Sequence, residues 1–584
     1  MQPNEKKNES KLTGYPSIDK PWFQYYSSKE ISAQIPESSM YDYMSACNFD
    51  RLDAFALNYF GKRITHKQLH EKIDICAKAL IELGAAKGDI ISICMLTIPE
   101  AVYCLYAANK IGATCNFIVL NATETTIHEQ IADTKSKIVI TVDMVLDKII
   151  SASMDTDIKQ IISVSLQESM PFILKALLKL RHKGTNTDNE KVMLWKEFLL
   201  KGNKDIVINR VSQSDIPAVI EYTSGTSGVA KGVLLSNQAG NALASNYINT
   251  GNLLNFEKGE TFLDILPPFY AYGVYVGIHM PLCVGVELIL VPDPSPQKFA
   301  KWIKKYKPNH FTGGASHIDY MTRNSKIKKM NLSFLKTIAY GGDTVNKDWE
   351  TQINNFLFSR GAKYKLLNGY GMTETAGSFC TQTHKTDFMV PFAKNNIKII
   401  DIDTKKELMY GQEGEICLSG PSLMLEYYQN PIETAETVWI EDDGVRWLHT
   451  GDLGYVTEEG HFIISGRIKR IYWTIGNDGI IYRVYPMQIE EVICTHDNVN
   501  KCVVVGKEQE SGGYLSVAYI ILNDETLLGQ TINDLKSVCC EKLPESSWPA
   551  IYRSVSEFPM TSFGKVDYRK LEEIEKNVET NKGI

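Results

Sequence analysis

Between residues 70 and 143 the chain alternates between the periodicities of helix and strand, and this alternation limits the folds open to it. Ile73, Cys76, Ala77, Leu80 and Gly84 fall at i, i+3, i+4, i+7 and i+11, one face of a helix, with Gly84 suited to its end. Asp89–Leu96 (DIISICML) is a short apolar run of the kind a buried strand needs. A second helix is predicted over Pro99–Ile111, with the proline in its first turn. Strand-like runs return at Ala113–Val119 and Lys137–Asp143. Such alternation predicts a mainly parallel sheet covered by helices on both faces, an α/β fold.

Residues 150–215 read as less regular, and from about 216 to 465 apolar runs and Gly-rich turns alternate again. Beyond Gly466 the texture becomes that of a small α+β unit, with strands at Cys502–Val505 and Tyr514–Leu522 and a helix near Thr531–Leu543. A domain boundary is therefore expected close to Gly466, as a chain of 584 residues is too long for one core. With 44% hydrophobic and 22% charged residues, disorder throughout is excluded. The net charge of -7 gives no reason to expect a nucleic-acid partner.

The twelve cysteines include no CxxC pair, and the adjacent Cys539 and Cys540 are poorly placed for a disulfide. Reduced thiols in a cytoplasmic protein is the simple expectation. The polar start MQPNEKKNESKLTG lacks the apolar stretch of a signal peptide, and no run approaches the ~20 apolar residues that span a bilayer. Phe172–Lys183 (FILKALLKLRHK) has Lys175, Lys179 and His182 on one helical face and aliphatic residues elsewhere. A surface helix packed on the sheet is the preferred reading, and weak peripheral contact with an anionic membrane the other.

The strongest chemical signal is Glu221-Tyr-Thr-Ser-Gly-Thr-Ser-Gly-Val-Ala-Lys-Gly-Val233. Glycines let backbone N–H groups approach an anion, and Ser and Thr hydroxyls add donors, as a loop around a polyphosphate requires. The spacing is not GxxxxGK[ST], so a P-loop NTPase is disfavoured. A flexible Ser/Gly linker would not be led in and out by apolar runs.

Tyr222–Gly232 resembles the loop YTSGTTGxPKG of the adenylate-forming superfamily: acyl-CoA synthetases, peptide-synthetase adenylation domains and firefly luciferase. Ser227 stands for threonine and Ala230 for proline. The resemblance runs from about Tyr41 to Leu571, with further motifs in the expected order. It assigns Thr223, Ser224, Gly225, Ser227 and Gly228 to phosphate binding, and Thr226 and Lys231 to catalysis. Asn368-Gly-Tyr-Gly-Met-Thr-Glu374 resembles GYGxTE; by that likeness Asn368, Gly369 and Gly371 belong to the nucleotide site. Tyr370 then stacks on adenine, Thr373 touches the α-phosphate and Glu374 holds Mg2+, a hard cation that takes carboxylate oxygens. Gly341-Gly342-Asp343 resembles the adenine-binding GGA turn, with Asp343 in place of alanine.

Thr450-Gly-Asp452 resembles the TGD motif, whose aspartate accepts the ribose hydroxyls, and Gly466-Arg-Ile-Lys469 resembles GRxK, with Arg467 near the ribose and Lys469 as hinge. Pro559–Arg569 resembles PxxxxGKxxR and makes Lys565 the mobile lysine that reaches the carboxylate and α-phosphate. Pro268-Phe-Tyr-Ala-Tyr-Gly273 corresponds to PxFHxxG and puts Tyr270 near the acyl pocket, to which Tyr340 is also assigned. Amino-acid-activating relatives carry an aspartate at position 270, so an α-amino acid is disfavoured. Pro486 comes about five residues later after Lys469 than in common relatives, an extension in the segment that lines their pantetheine tunnel.

The resemblance thus implies a polar leader (1–40), an N-terminal AMP-binding α/β domain of several sheets (41–465) and a small mobile α+β lid (466–584). It implies ATP and Mg2+ as cofactors and a carboxylic acid activated as acyl-AMP. The acyl group then passes to a thiol, CoA or the phosphopantetheine of a carrier protein. A non-catalytic nucleotide or acyl-AMP sensor is the alternative of another class; retention of Lys565, Glu374 and the phosphate loop argues against it.

Overall fold

Thr65 sets the start of the first long helix, His66–Glu82, through a capping box: Gln68 N–H donates to Thr65 Oγ1 at 3.2 Å and Thr65 N–H to Gln68 Oε1 at 3.0 Å. Its buried face carries Ile73, Cys76, Ala77 and Leu80, and the chain leaves it through Gly84 at φ +88°. The helix Pro99–Ile111 is buried on every face and stops at Gly112, whose φ of +78° a side chain would strain. The computed structural model describes residues 12–179, 189–203, 205–223, 230–249, 254–342, 345, 347–476, 479–509, 512–560 and 566–580.

Among the described residues an eight-stranded sheet has Ile90–Cys94 at its centre, flanked by Thr114–Phe117 and Ile138–Val142 in parallel, as the alternation predicts. Thr114–Phe117 leads to Pro217–Tyr222 and then, antiparallel, to Gly232–Ser236 and the short Glu426–Tyr427. A nine-stranded sheet contains Thr261–Asp264, His310–Gly313, Thr337–Gly341 and Leu366–Tyr370 side by side in parallel. The largest apolar core draws on both sheets, for example Ile91 and Ile93 from one and Phe262 and Leu288 from the other. A second core, with Leu263, Phe311 and Ile338, lies on the opposite face of the nine-stranded sheet, as strand alternation requires. Five strands from Asn396 to Arg467 make a third sheet.

Among the described residues, strands after Arg467 pair only with one another. They are the hairpin Tyr472–Ile475 with Ile481–Val484, and a sheet of Val499–Glu508, Tyr514–Leu522 and Ile551–Ser554 backed by the helix Leu528–Lys542.

Two expectations change. The stretch 150–215 adds two parallel strands at one end of the eight-stranded sheet, Gln160–Val164 and, at the edge, Val192–Leu194. The second is three residues long and incompletely buried, too short to carry a legible period. The helix Phe172–Lys179 does not bury its aliphatic side: Phe172 is 84% and Ile173 74% exposed, whereas Lys175 turns to Glu168 at 3.4 Å. Pairing the lysine inward rotates the apolar residues out; His182 lies outside the described residues. Among those described, no helix is long and apolar enough to cross a membrane.

Candidate active site

The strands Pro217–Tyr222 and Gly232–Ser236 close on each other at the Ser/Thr/Gly segment, with Tyr222 opposite Gly232 and Thr223 N–H donating to the Lys231 carbonyl at 3.0 Å. Ser224, Gly225, Thr226, Ser227 and Gly228 lie outside the described residues. Lys231 is paired with Glu433 and its ammonium stands 4.9 Å from the ring of Tyr427.

Tyr427 is the residue that sequence reasoning missed. Its two-residue strand pairs with Gly232–Ser236, and its hydroxyl donates to Glu374 Oε1 at 2.7 Å. Glu374 sits in the 3-10 turn Thr373–Thr375 that follows the Leu366–Tyr370 strand, is buried, and is tied again by Met424 N–H donating to its carbonyl at 2.8 Å. One phenol thus joins the edge of the phosphate-loop sheet to the carboxylate of the other sheet. Burial, then the neighbouring Glu374, push the Tyr427 hydroxyl far up, so it remains a donor. A two-residue strand has no periodicity by which it could have been found.

Asp452 and Arg467 face each other across paired strands, with Arg467 Nε 2.8 Å from Asp452 Oδ1. Tyr370 donates to the other oxygen, Oδ2, at 2.7 Å and packs against Phe462 at 5.3 Å between centroids. Burial, then Asp452, raise the Tyr370 hydroxyl well above its ordinary range, and Asp452 raises Arg467. Both oxygens expected to accept a ribose are therefore engaged by the protein itself.

Gly341 and Gly369 are register partners on parallel strands, and a Cβ on Gly341 would stand 3.1 Å from the Gly369 carbonyl oxygen. A Cβ on Gly371 would lie 2.5 Å from Ser378 Cα, so the GYG turn admits no side chain there. Gly342 adopts φ +79°; Asp343 lies outside the described residues. Asn368 exchanges hydrogen bonds with Gln382, giving its N–H to Oε1 at 2.8 Å. Thr373 opens the turn that holds Glu374.

Tyr340 requires correction. Alternation along Thr337–Gly341 turns it to the second core, where it bonds Glu350 and packs on Trp349 at 5.3 Å, while Ala339 faces the large core. The residue beside Gly341 is Tyr272, whose hydroxyl would lie 3.8 Å from a Gly341 Cβ and bonds Thr312. Tyr270 is half-buried against Phe269, ring centroids 4.9 Å apart, and burial raises its hydroxyl. Nearby, Glu221 is fully buried, and burial holds its carboxyl well above the usual carboxylate range.

Lys469 is exposed in the turn Ile468–Arg470. Arg470, one residue on, is bound to Glu490 and to the Val504 carbonyl at 3.1 Å, with Tyr568 beneath it at 4.0 Å. Lys565 lies outside the described residues; Met560 and Val566 on either side form a bridge. The extended segment before Pro486 is the hairpin Tyr472–Val484, with Trp473, Ile475, Ile480 and Ile481 exposed.

The Tyr427–Glu374 bond and the Tyr370–Asp452–Arg467 contacts thus bring residues of three sheets together. The chain belongs to the AMP-binding enzyme family, whose profile matches residues 46–428, with the AMP-binding enzyme C-terminal domain matching 488–565. It is similar to a long-chain-fatty-acid–CoA ligase of Bacillus subtilis (strain 168), 27% identical over 95% of this chain and 98% of that one. It is also similar to the 4-coumarate–CoA ligase CCL1 of Humulus lupulus, 26% identical over 82% of each. Among solved structures, the anthranilate CoA ligase AuaEII in complex with anthranoyl-AMP has a TM-score of 0.75 at 19% identity, covering 93% of this chain and 99% of that one. The protein is an AMP-forming acid–thiol ligase.

Proposed function

We propose that the chain uses ATP to convert a carboxylic acid to acyl-AMP with release of pyrophosphate, then transfers the acyl group to CoA. The observation that carries this reading is the Tyr427–Glu374 bond, which ties a buried carboxylate to the strand that ends the Ser/Thr/Gly segment. A buried carboxylate suits Mg2+, which would neutralise phosphate oxygens when bound. Lys231 and the hydroxyls of Thr223–Ser227 hold the phosphates, Asp452 and Arg467 hold the ribose, and Gly341, Gly342 and Tyr370 frame the base. Lys565 offsets charge that develops as phosphorus is attacked.

The boundary between the two domains falls at about Gly466, with Lys469 as hinge. Strands up to Arg467 and strands from Tyr472 belonging to different sheets supports this. The acid carries no α-ammonium: Tyr270 is a phenol, and the buried Glu221 carboxyl, favoured in its neutral form, supplies no counter-charge. The exposed Phe172 and Ile173 support weak contact with a membrane surface, tested by flotation with anionic vesicles.

Pyrophosphate exchange across aliphatic, aryl and amino acids tests the first half-reaction, and thioester yield on CoA against a holo carrier protein tests the second. Exchange driven best by a free α-amino acid, or thioester formed only on the carrier, would overturn the corresponding part.

A further inference from the structure

Next to Thr450–Asp452 lies a cluster of ligand-type side chains that the proposed reaction does not use. The strands Gly414–Ser419 and Arg446–Val456 run antiparallel with Cys417 opposite His449. Glu415 and Cys417, two residues apart, point to the same face of their strand. Between them the register slips, so that Glu415 and Cys417 stand opposite Leu453 and His449. This bulge lets both side chains reach one imidazole. His449 Nδ1 is 3.3 Å from Glu415 Oε2 and 3.6 Å from Cys417 Sγ, and the three donor atoms lie within 4.8 Å of one another.

A tetrahedral ion with bonds of about 2.3 Å to sulfur and about 2.05 Å to nitrogen and oxygen spaces S and N about 3.5 Å apart and N and O about 3.3 Å apart. Both edges match. The donor set is thiol, imidazole and carboxylate, which suits Zn2+ and not Mg2+, a cation that takes oxygens. The side chains of Glu415 and His449 are each 8% exposed, and Cys417 is fully buried. His449 Nε2 is buried without a hydrogen-bond partner among the described residues, so the polar engagement of the ring is all toward the cluster.

We propose that Glu415, Cys417 and His449 bind a borderline-soft divalent cation of the Zn2+ class, at a site separate from that of Mg-ATP. The ion must compete with Lys405, whose ammonium is 3.6 Å from Glu415 Oε2 and whose side chain is 42% exposed, free to turn to solvent. Gly451 N–H donates to Glu415 Oε1 at 3.3 Å, leaving Oε2 for the ion, and Trp439 covers His449 at 3.9 Å between ring centroids. Three protein donors leave the fourth position for water. Cys417 would bind as the thiolate, its proton leaving to solvent.

The full chain, freed of metal by chelation, is titrated with Co2+ as the spectroscopic probe, with Zn2+ or Mg2+ in competition. One equivalent of Co2+ with a thiolate-to-cobalt charge-transfer band is expected, displaced by Zn2+ and not by excess Mg2+. Cys417→Ser should lose the band. Lys405→Asn, which keeps a residue tolerant of the φ of +59° at this position, should tighten Co2+ binding by about fivefold by removing an exposed competing charge. No band, a band retained by Cys417→Ser, or unchanged affinity in Lys405→Asn each overturns the proposal. The last variant decides the matter even where Cys417→Ser fails to fold.

Discussion

Tyr427→Phe isolates the link between the phosphate-loop strand and Glu374. The substitution removes only the hydroxyl; the ring beneath Lys231 and the backbone pairing of Glu426–Tyr427 remain. The lost bond, 2.7 Å long and made to a carboxylate in a buried setting, is of the kind worth about 1.5–3 kcal/mol. At about 1.4 kcal/mol per tenfold, full use of that energy in positioning Glu374 would cost about 10- to 100-fold in adenylation rate. Glu374 keeps its backbone tie from Met424, which argues for the lower end, about tenfold. The assay is pyrophosphate exchange as a function of Mg2+ concentration, beside urea unfolding. The expected signature is a higher Mg2+ requirement with partial recovery at high Mg2+, whereas Glu374→Gln should not recover. A Tyr427→Phe protein that loses stability by about 2 kcal/mol yet shows the wild-type Mg2+ dependence would refute the positioning role.

Lys565→Ala should lower acyl-AMP formation from free acid by about 10²–10³ while sparing thioester formation from preformed acyl-AMP, measured on the same preparations. Lys469→Pro, by fixing φ, should leave pyrophosphate exchange near normal and strongly reduce thioester yield. Glu100 is buried and accepts from Ser169, and burial raises its carboxyl from 4.5 to about 7. Its folded-state pKa lies above the unfolded one, so its contribution is intact below pH 4.5 and lost as pH rises through about 7. Glu100→Gln should remove up to about 3 kcal/mol of that fall, read from urea unfolding at pH 5 and pH 8.

The parallel sheet was legible because its strands are buried and separated by helices with a clear period: Pro99–Ile111 has the bounds that its proline and following glycine announce. The strands Gln160–Val164 and Val192–Leu194 were not, because the first is short and interrupts its apolar run with Ser163, and the second is three residues at the sheet edge. At the site, glycines and charged residues in a row could be read, since close approach and charge leave sequence spacings. Orientation could not. Tyr340 and Gly341 are neighbours in sequence yet lie on opposite faces of their sheet, and Tyr272, two residues beyond Tyr270, is the one beside Gly341. Tyr427 reaches Glu374 across 53 residues of chain, a contact that only the pairing of a two-residue strand creates.

The same geometry joins Asp452 to the connection that leads into the C-terminal strands. Asp452 is buried and would be costly as an unpaired charge; Tyr370 and Arg467 satisfy it. Arg467 is the last residue of its strand, and three residues later Arg470 is anchored to Glu490 of the helix Pro486–Ile493 and to Val504 of the strand Val499–Glu508. The turn Ile468–Arg470 is thus held at one end by the Arg467–Asp452 pair and at the other by the C-terminal domain. A ribose bound at Asp452, as proposed, would loosen its hold on Arg467, and a rotation about the turn would pull on that same arginine. On the proposed function, nucleotide occupancy and lid position would act on one ion pair, which would give the second half-reaction a structural reason to wait for the first.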